Sequence, residues 1–128
     1  MPSLLGHLSR LAGNRAGPIP APRLVRMAEG FVGILRFELH LPEGGSLKGK
    51  RKHLLHVKSR LERRFGASVA EVGYHELWQR SLLVMVVVRR EAGETMHALD
   101  DARSYLSSQE FELARADAQL LLVEEAIG

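Results

Sequence analysis

Phe31-Val32-Gly33-Ile34-Leu35-Arg36-Phe37-Glu38-Leu39-His40-Leu41 decides the fold. Phe31, Gly33, Leu35, Phe37 and Leu39 alternate with Val32, Ile34, Arg36, Glu38 and His40. A period of two is a strand with one face buried. Pro42 to Gly45 ends it, and Ser46 is a good N-cap for a helix running to about Phe65. Leu47, Leu54, Val57, Leu61 and Phe65 recur at helical spacing and mark the core face. Gly66 follows where a C-terminal glycine belongs.

Further along, Ser68 to Val72 reads as a second strand and Gly73 to Trp78 as a connection. Ser81 to Arg89 is apolar on both faces, which places a third strand in the middle of a sheet. A second helix is expected from about Thr95 to Leu106, with Ala98, Leu99, Ala102, Tyr105 and Leu106 inward. Ala116 to Glu124 reads as a last strand, and Glu110 to Arg115 fits helix or strand. The order is β-α-β-β-α-β. Right-handed crossovers then give an α+β, ferredoxin-like sandwich: an antiparallel sheet of order 4-1-3-2 with both helices on one face.

The chain has 128 residues and no cysteine. Disulfides, Cys-ligated zinc, iron–sulfur clusters and thiol nucleophiles are therefore excluded. Residues 1–26 differ from the rest. They hold Pro2, Pro18, Pro20 and Pro22, and Arg10, Arg15, Arg23 and Arg26 without an acid. They read as an N-terminal extension, with the folded domain at 27–128. No apolar run approaches the roughly 18 residues of a membrane-spanning helix. A cytoplasmic protein without membrane contact is expected.

From Phe31 to Arg89 the chain resembles the YlxP-like family of small bacterial proteins. The matching strings are Val32 to Pro42, Ser46-Leu47-Lys48-Gly49-Lys50-Arg51, Ser68-Val69-Ala70-Glu71-Val72-Gly73 and Leu77-Trp78-Gln79-Arg80. The resemblance implies a ferredoxin-like fold. The family is a domain of unknown function whose genes often lie among those for translation and ribosome maturation, which implies a ribosome or RNA role. Gly49 stands where the family usually has Glu. A Glu there would complete a capping box with Ser46.

The charge is divided. Ser46 to Phe65 holds Lys48, Lys50, Arg51, Lys52, Lys58, Arg60, Arg63 and Arg64 against Glu62, a net of +7. From Glu91 onward nine acids face Arg103 and Arg115, a net of −7. Lys48, Lys52, His56, Ser59 and Arg63 fall on one outward helix face that can track phosphates. Lys48, Lys50, Arg51, Lys52 and Arg63 are the candidate polyanion contacts. An anion at the start of this helix is the alternative use of its first cations.

A second candidate region is the sheet edge where the strand ends meet. His40, His75, Glu76 and Arg80 gather there, near Glu43 and Lys48, beneath a loop with Trp78 folded over the core edge. The spacing matches no metal motif, and His53 with His56 is a weak pair by itself. Walker and Gly-x-Ser-x-Gly patterns are absent. No catalytic residue, cofactor or metal is expected.

The sheet face away from the helices takes Arg36, Glu38 and His40 and one of two apolar sets on strand three, with Val69 beside them. An apolar patch of that kind marks an interface. Strand three carries no aromatic, so base stacking on the sheet is not expected. Three readings follow: a non-enzymatic accessory protein touching RNA or the ribosome through its first helix, a homo-oligomeric interaction module joined through the open sheet face, and a small-molecule or anion-binding protein.

Overall fold

The computed structural model describes residues 29–41 and 45–128. The expected extension at 1–26 lies outside the described residues. The elements are β1 (Phe31–His40), α1 (Leu47–Phe65), β2 (Ser68–Gly73), β3 (Arg80–Arg89), α2 (Ala92–Ser107), β4 (Glu112–Leu122) and a short α3 (Val123–Ile127). The strands form one antiparallel sheet of order β2-β3-β1-β4, the expected ferredoxin-like arrangement.

β1 and β3 pair in register from Phe31 opposite Arg89 to His40 opposite Arg80. The alternation in β1 therefore sorts both strands at once. Leu35, Phe37 and Leu39 lie on the same face as Ser81, Leu83, Met85 and Val87, and all seven are buried. The helices cover this face. α1 contributes Leu54, Val57, Leu61 and Phe65; α2 contributes Ala98, Leu99, Ala102, Tyr105 and Leu106. Each large side chain buried this way contributes about 1.5–3 kcal/mol.

At Gly33 α2 packs directly on the β1 backbone. A Cβ there would sit 2.6 Å from Thr95 Cγ2 and 3.1 Å from Leu99 Cδ1 and Val87 Cγ2. α1 begins at Ser46, whose Oγ accepts from Gly49 N at 3.1 Å, and ends at Gly66 in the left-handed conformation.

Three expectations change. α2 starts three residues earlier than Thr95: the Glu91 carbonyl accepts from Thr95 N and Thr95 Oγ1, so Thr95 is the first core contact of the helix and not its start. In the ambiguous stretch Glu110 and Phe111 belong to the connection after α2 and β4 begins at Glu112; it stops at Leu122, where α3 takes over. Val69 is buried in the core, and its neighbour Ala70 lies opposite Val84 on the open face.

That open face has two halves. Val32, Ile34, Val84, Val86 and Val88 form an apolar half, with Val88 62% exposed. Arg36, Glu38, His40 and Arg80 occupy the other half, with Arg115, Asp117 and Glu112 from β4. Two bulges fall in that half, skipping Ala114 in β4 and Val72 in β2.

Candidate functional site

α1 is amphipathic because its core residues repeat at three and four, leaving the intervening cations outside. Lys48, Arg51, Lys52, Arg60, Arg63 and Arg64 are exposed, and Lys58 is half-buried. None of these seven makes an ion pair among the described residues. Arg63 Nε donates weakly to Ser59 O at 3.4 Å, and Arg64 lies over the Phe65 ring at 5.1 Å. Their charge is directed at solvent.

Lys50, expected among the phosphate contacts, corrects that set. It lies on the core side of α1, and 2% of its side chain is exposed. Its Nζ donates to Tyr74 O and Leu77 O, both at 2.6 Å, and lies 2.8 Å from Glu71 Oε2. Ser81 Oγ donates to the same carboxylate oxygen at 2.7 Å. A buried ammonium is stable when a countercharge and hydrogen-bond acceptors surround it. Lys50 thus pins the β2–β3 connection to α1. Burial pushes the Glu71 carboxyl up, but the hydrogen bonds from Lys50 and Ser81 outweigh this, and it ends below the usual value.

The sheet-edge candidates separate in the same way. His40 and Arg80 are brought together by Glu38, which the alternation of β1 puts on the same face as His40. Arg80 Nε and Nη2 donate to Glu38 Oε2 at 3.0 and 2.7 Å, and His40 Nε2 lies 2.8 Å from that oxygen. His40 Nδ1 lies 3.3 Å from Glu112 Oε2. The Arg80 guanidinium also stacks on Tyr74, 4.1 Å from the ring centroid, and donates to its hydroxyl at 3.0 Å. Tyr74 is held at φ 61°, an uncommon conformation for a residue with a Cβ. The hydrogen bonds from Arg80 and His40 hold the Glu38 carboxyl below its ordinary range despite partial burial.

His75 and Glu76 do not join this network. The His75 ring meets Glu71 O at 3.2 Å, and Glu76 is exposed. Trp78 is half-buried. Glu43, on the expected edge, lies outside the described residues. Chemically the cluster is a set of satisfied ion pairs, and its charges answer one another. Among the described residues no group of three or more His, Asp or Glu side chains is arranged to hold a metal ion. No helix among them is long and apolar enough to cross a membrane.

A cleft lies between α1 and the α2–β4 connection. Lys52, His53, His56 and Val57 line one wall; Gln109, Glu110 and Phe111 line the other. The helical phase of His53 and His56 was legible. Their facing wall was not, because it depends on where the chain re-enters the sheet.

Comparison with known proteins places the chain. It is 29% identical over 78 residues to the "Uncharacterized protein YlxP" of Bacillus subtilis, covering 61% of this chain and 85% of that protein. Among solved structures it is similar to SnoaB, a cofactor-independent oxygenase from Streptomyces nogalater, at 13% identity and a TM-score of 0.39 over 74% of this chain and 93% of that one. A similarity of that size says nothing of activity. The family described as "Protein of unknown function (DUF503)" matches residues 32–120, and the chain belongs to it.

Proposed function

We propose that this chain is a non-enzymatic RNA-binding accessory protein of the cytoplasm, using the outer face of α1. The observation that supports this is the set of exposed cations on α1 that lack an ion-pair partner among the described residues. Cations whose charge is already answered gain little from a phosphate, whereas these gain through counterion release. Lys48, Arg51, Lys52 and Arg63 are the contacts. The ribosome is the RNA-containing partner that the family resemblance favours.

The test is RNA and ribosome binding across a salt series. Replacing Lys48 and Lys52 together by Gln is expected to weaken binding and to lower the salt slope by about 1.8 for a double-stranded target, 0.9 per lost phosphate contact. An unchanged slope and affinity would remove the basic face from the account.

A second reading rests on the open sheet face. Its three arginines, Arg36, Arg80 and Arg115, are paired within the face to Asp117 and Glu38. Glu112 reaches His40. Such a surface presents little net field to an identical surface, so a second copy meets it without repulsion. Homodimerisation through this face is compatible with RNA binding on α1, on the other side of the sheet.

A further inference from the structure

The cleft beside the basic face has a lining that phosphate binding alone does not call for. Tracking a phosphate chain needs cations, and Lys48, Arg51, Lys52 and Arg63 supply them. It does not need an apolar floor, and a carboxylate opposes it. The cleft has both. Val57 and Phe111 belong to the core, 2% and 8% exposed, and form the apolar part of its lining. Glu110 stands on the wall facing Lys52, with no ion pair among the described residues.

The remaining lining groups have a definite hydrogen-bonding character. Gln109 Nε2 donates to Tyr105 O at 3.3 Å and to Ser108 Oγ at 3.2 Å. Its amide is thereby oriented, and Oε1 keeps its acceptor capacity. Glu110 when ionised only accepts. The wall opposite α1 therefore offers acceptors. The α1 wall offers two exposed imidazoles, three residues apart, and the Lys52 ammonium at the end nearer Lys48. A ligand that satisfies all of this is flat, stacks on aromatic rings, carries N–H donors along one edge and is tied to an anion. A nucleotide has these properties. Its base can stack on side-chain rings only when it has left a duplex.

We propose that the cleft takes one unstacked nucleobase of single-stranded RNA. The base lies against His53 and His56 over the floor of Val57 and Phe111, its amino edge turned to Gln109 and Glu110. Lys52 holds the adjoining phosphate, and the rest of the strand follows the exposed face of α1. The inference deepens the RNA-binding reading and rests on it. Its consequence is selectivity: a duplex whose base edges are already paired can use the cations but not the cleft. Guanine, cytosine and adenine, which carry exocyclic amino groups, suit the acceptor wall better than uracil, whose one edge donor is N3–H.

The experiment uses the full chain and fluorescence anisotropy with labelled oligo-C, oligo-U and a duplex of equal length, at fixed salt and over a salt series. Oligo-C is expected to bind about ten-fold more tightly than the duplex, and more tightly than oligo-U. Replacing His53 and His56 together by Ala is expected to remove the advantage over the duplex, leaving duplex affinity and the salt slope unchanged. Glu110→Gln is expected to narrow the gap between oligo-C and oligo-U. All three residues are exposed, so circular dichroism should show an unchanged fold. Equal binding of duplex and single strand by the unaltered protein would overturn the cleft assignment while leaving the basic face intact. So would a His53→Ala/His56→Ala variant that weakens duplex and single strand alike. Failure of every RNA to bind would overturn the RNA reading itself.

Discussion

A lysine ammonium with so little of its side chain exposed persists only because its partners are buried with it. Lys50 has one carboxylate and two carbonyls, all within 2.8 Å. Removing the ammonium leaves Glu71 partly buried and the Tyr74 and Leu77 carbonyls short of a donor. Lys50→Met is therefore expected to cost about 3 kcal/mol in urea unfolding, the scale for breaking a buried ion pair. Lys50→Met with Glu71→Met should recover part of the loss, because no unmatched charge remains. A variant as stable as the parent would show that the pair holds nothing.

The same residues set an acid limit. Arg80 and His40 hold Glu38 ionised, Lys50 and Ser81 outweigh the burial of Glu71, and Arg36 followed by Arg115 does the same for Asp117. All three carboxyls titrate lower in the folded chain than in the unfolded one. Below the ordinary carboxylate range, near pH 4.3, the unfolded chain thus takes protons that the folded chain refuses. Their contribution is fully present above that range and is lost as pH falls through the depressed folded values. Urea midpoints should stay level from neutrality to about pH 5 and drop below it. Glu38→Gln should make that drop shallower. A midpoint that rises on acidification from pH 5 to 3 would contradict the assignment.

Among the elements, Gly33 and Gly49 show how position decides what a glycine does. At Gly33 a methyl group would collide with Thr95 and crowd Leu99 and Val87 where α2 crosses β1. Gly33→Ala is expected to cost about 2 kcal/mol, the usual size of overpacking. At Gly49, in the first turn of α1, a Cβ meets only Ser46 Oγ at 3.6 Å, an ordinary contact. Gly49→Ala should stabilise by up to about 1 kcal/mol through helix propensity. Thermal melts of the two variants should therefore move in opposite directions.

These elements also show what the sequence made legible. β1 and α1 were readable because each has one buried face and a clean period. The start of β4 was not, because it is an edge strand in which only Leu121 is buried and exposed and half-buried positions follow no clean alternation. Lys50 stands four residues before Leu54 and seven before Val57, so helical phase already put it on the core face; its charge argued the other way. That Glu71 would answer it depends on how β2 is placed under α1. Glu38 was placed on the correct face by alternation, and its partner Arg80 followed only once the β1–β3 register was known. The cleft was least legible, since its two walls are separated by about half the chain.

At the scale of the whole molecule, charge and apolar surface are segregated. The helix layer carries the basic surface of α1, while the open sheet face has internally paired charge and an apolar half. Two copies would repel through their α1 helices and can meet through their sheets. β1 and β3 have ten residues each, which at about 3.3 Å per residue gives about 33 Å of length. Four strands about 4.8 Å apart give about 19 Å of width. The projected area is roughly 600 Å², near the roughly 800 Å² per partner of a stable pair once side-chain relief is included. On the homodimer reading, Val86→Lys tests this directly. Val86 pairs with Ile34 on the open face and is half-buried, so a lysine there can extend to solvent in a monomer. In a dimer it would be an unpaired charge at the centre of the interface. Sedimentation equilibrium should show a dimer for the parent chain and a monomer for Val86→Lys. Arg60→Glu on the α1 surface should leave the dimer unchanged. A parent chain that stays monomeric at every concentration would leave the open face without this role, and the RNA reading on α1 would stand independently of it.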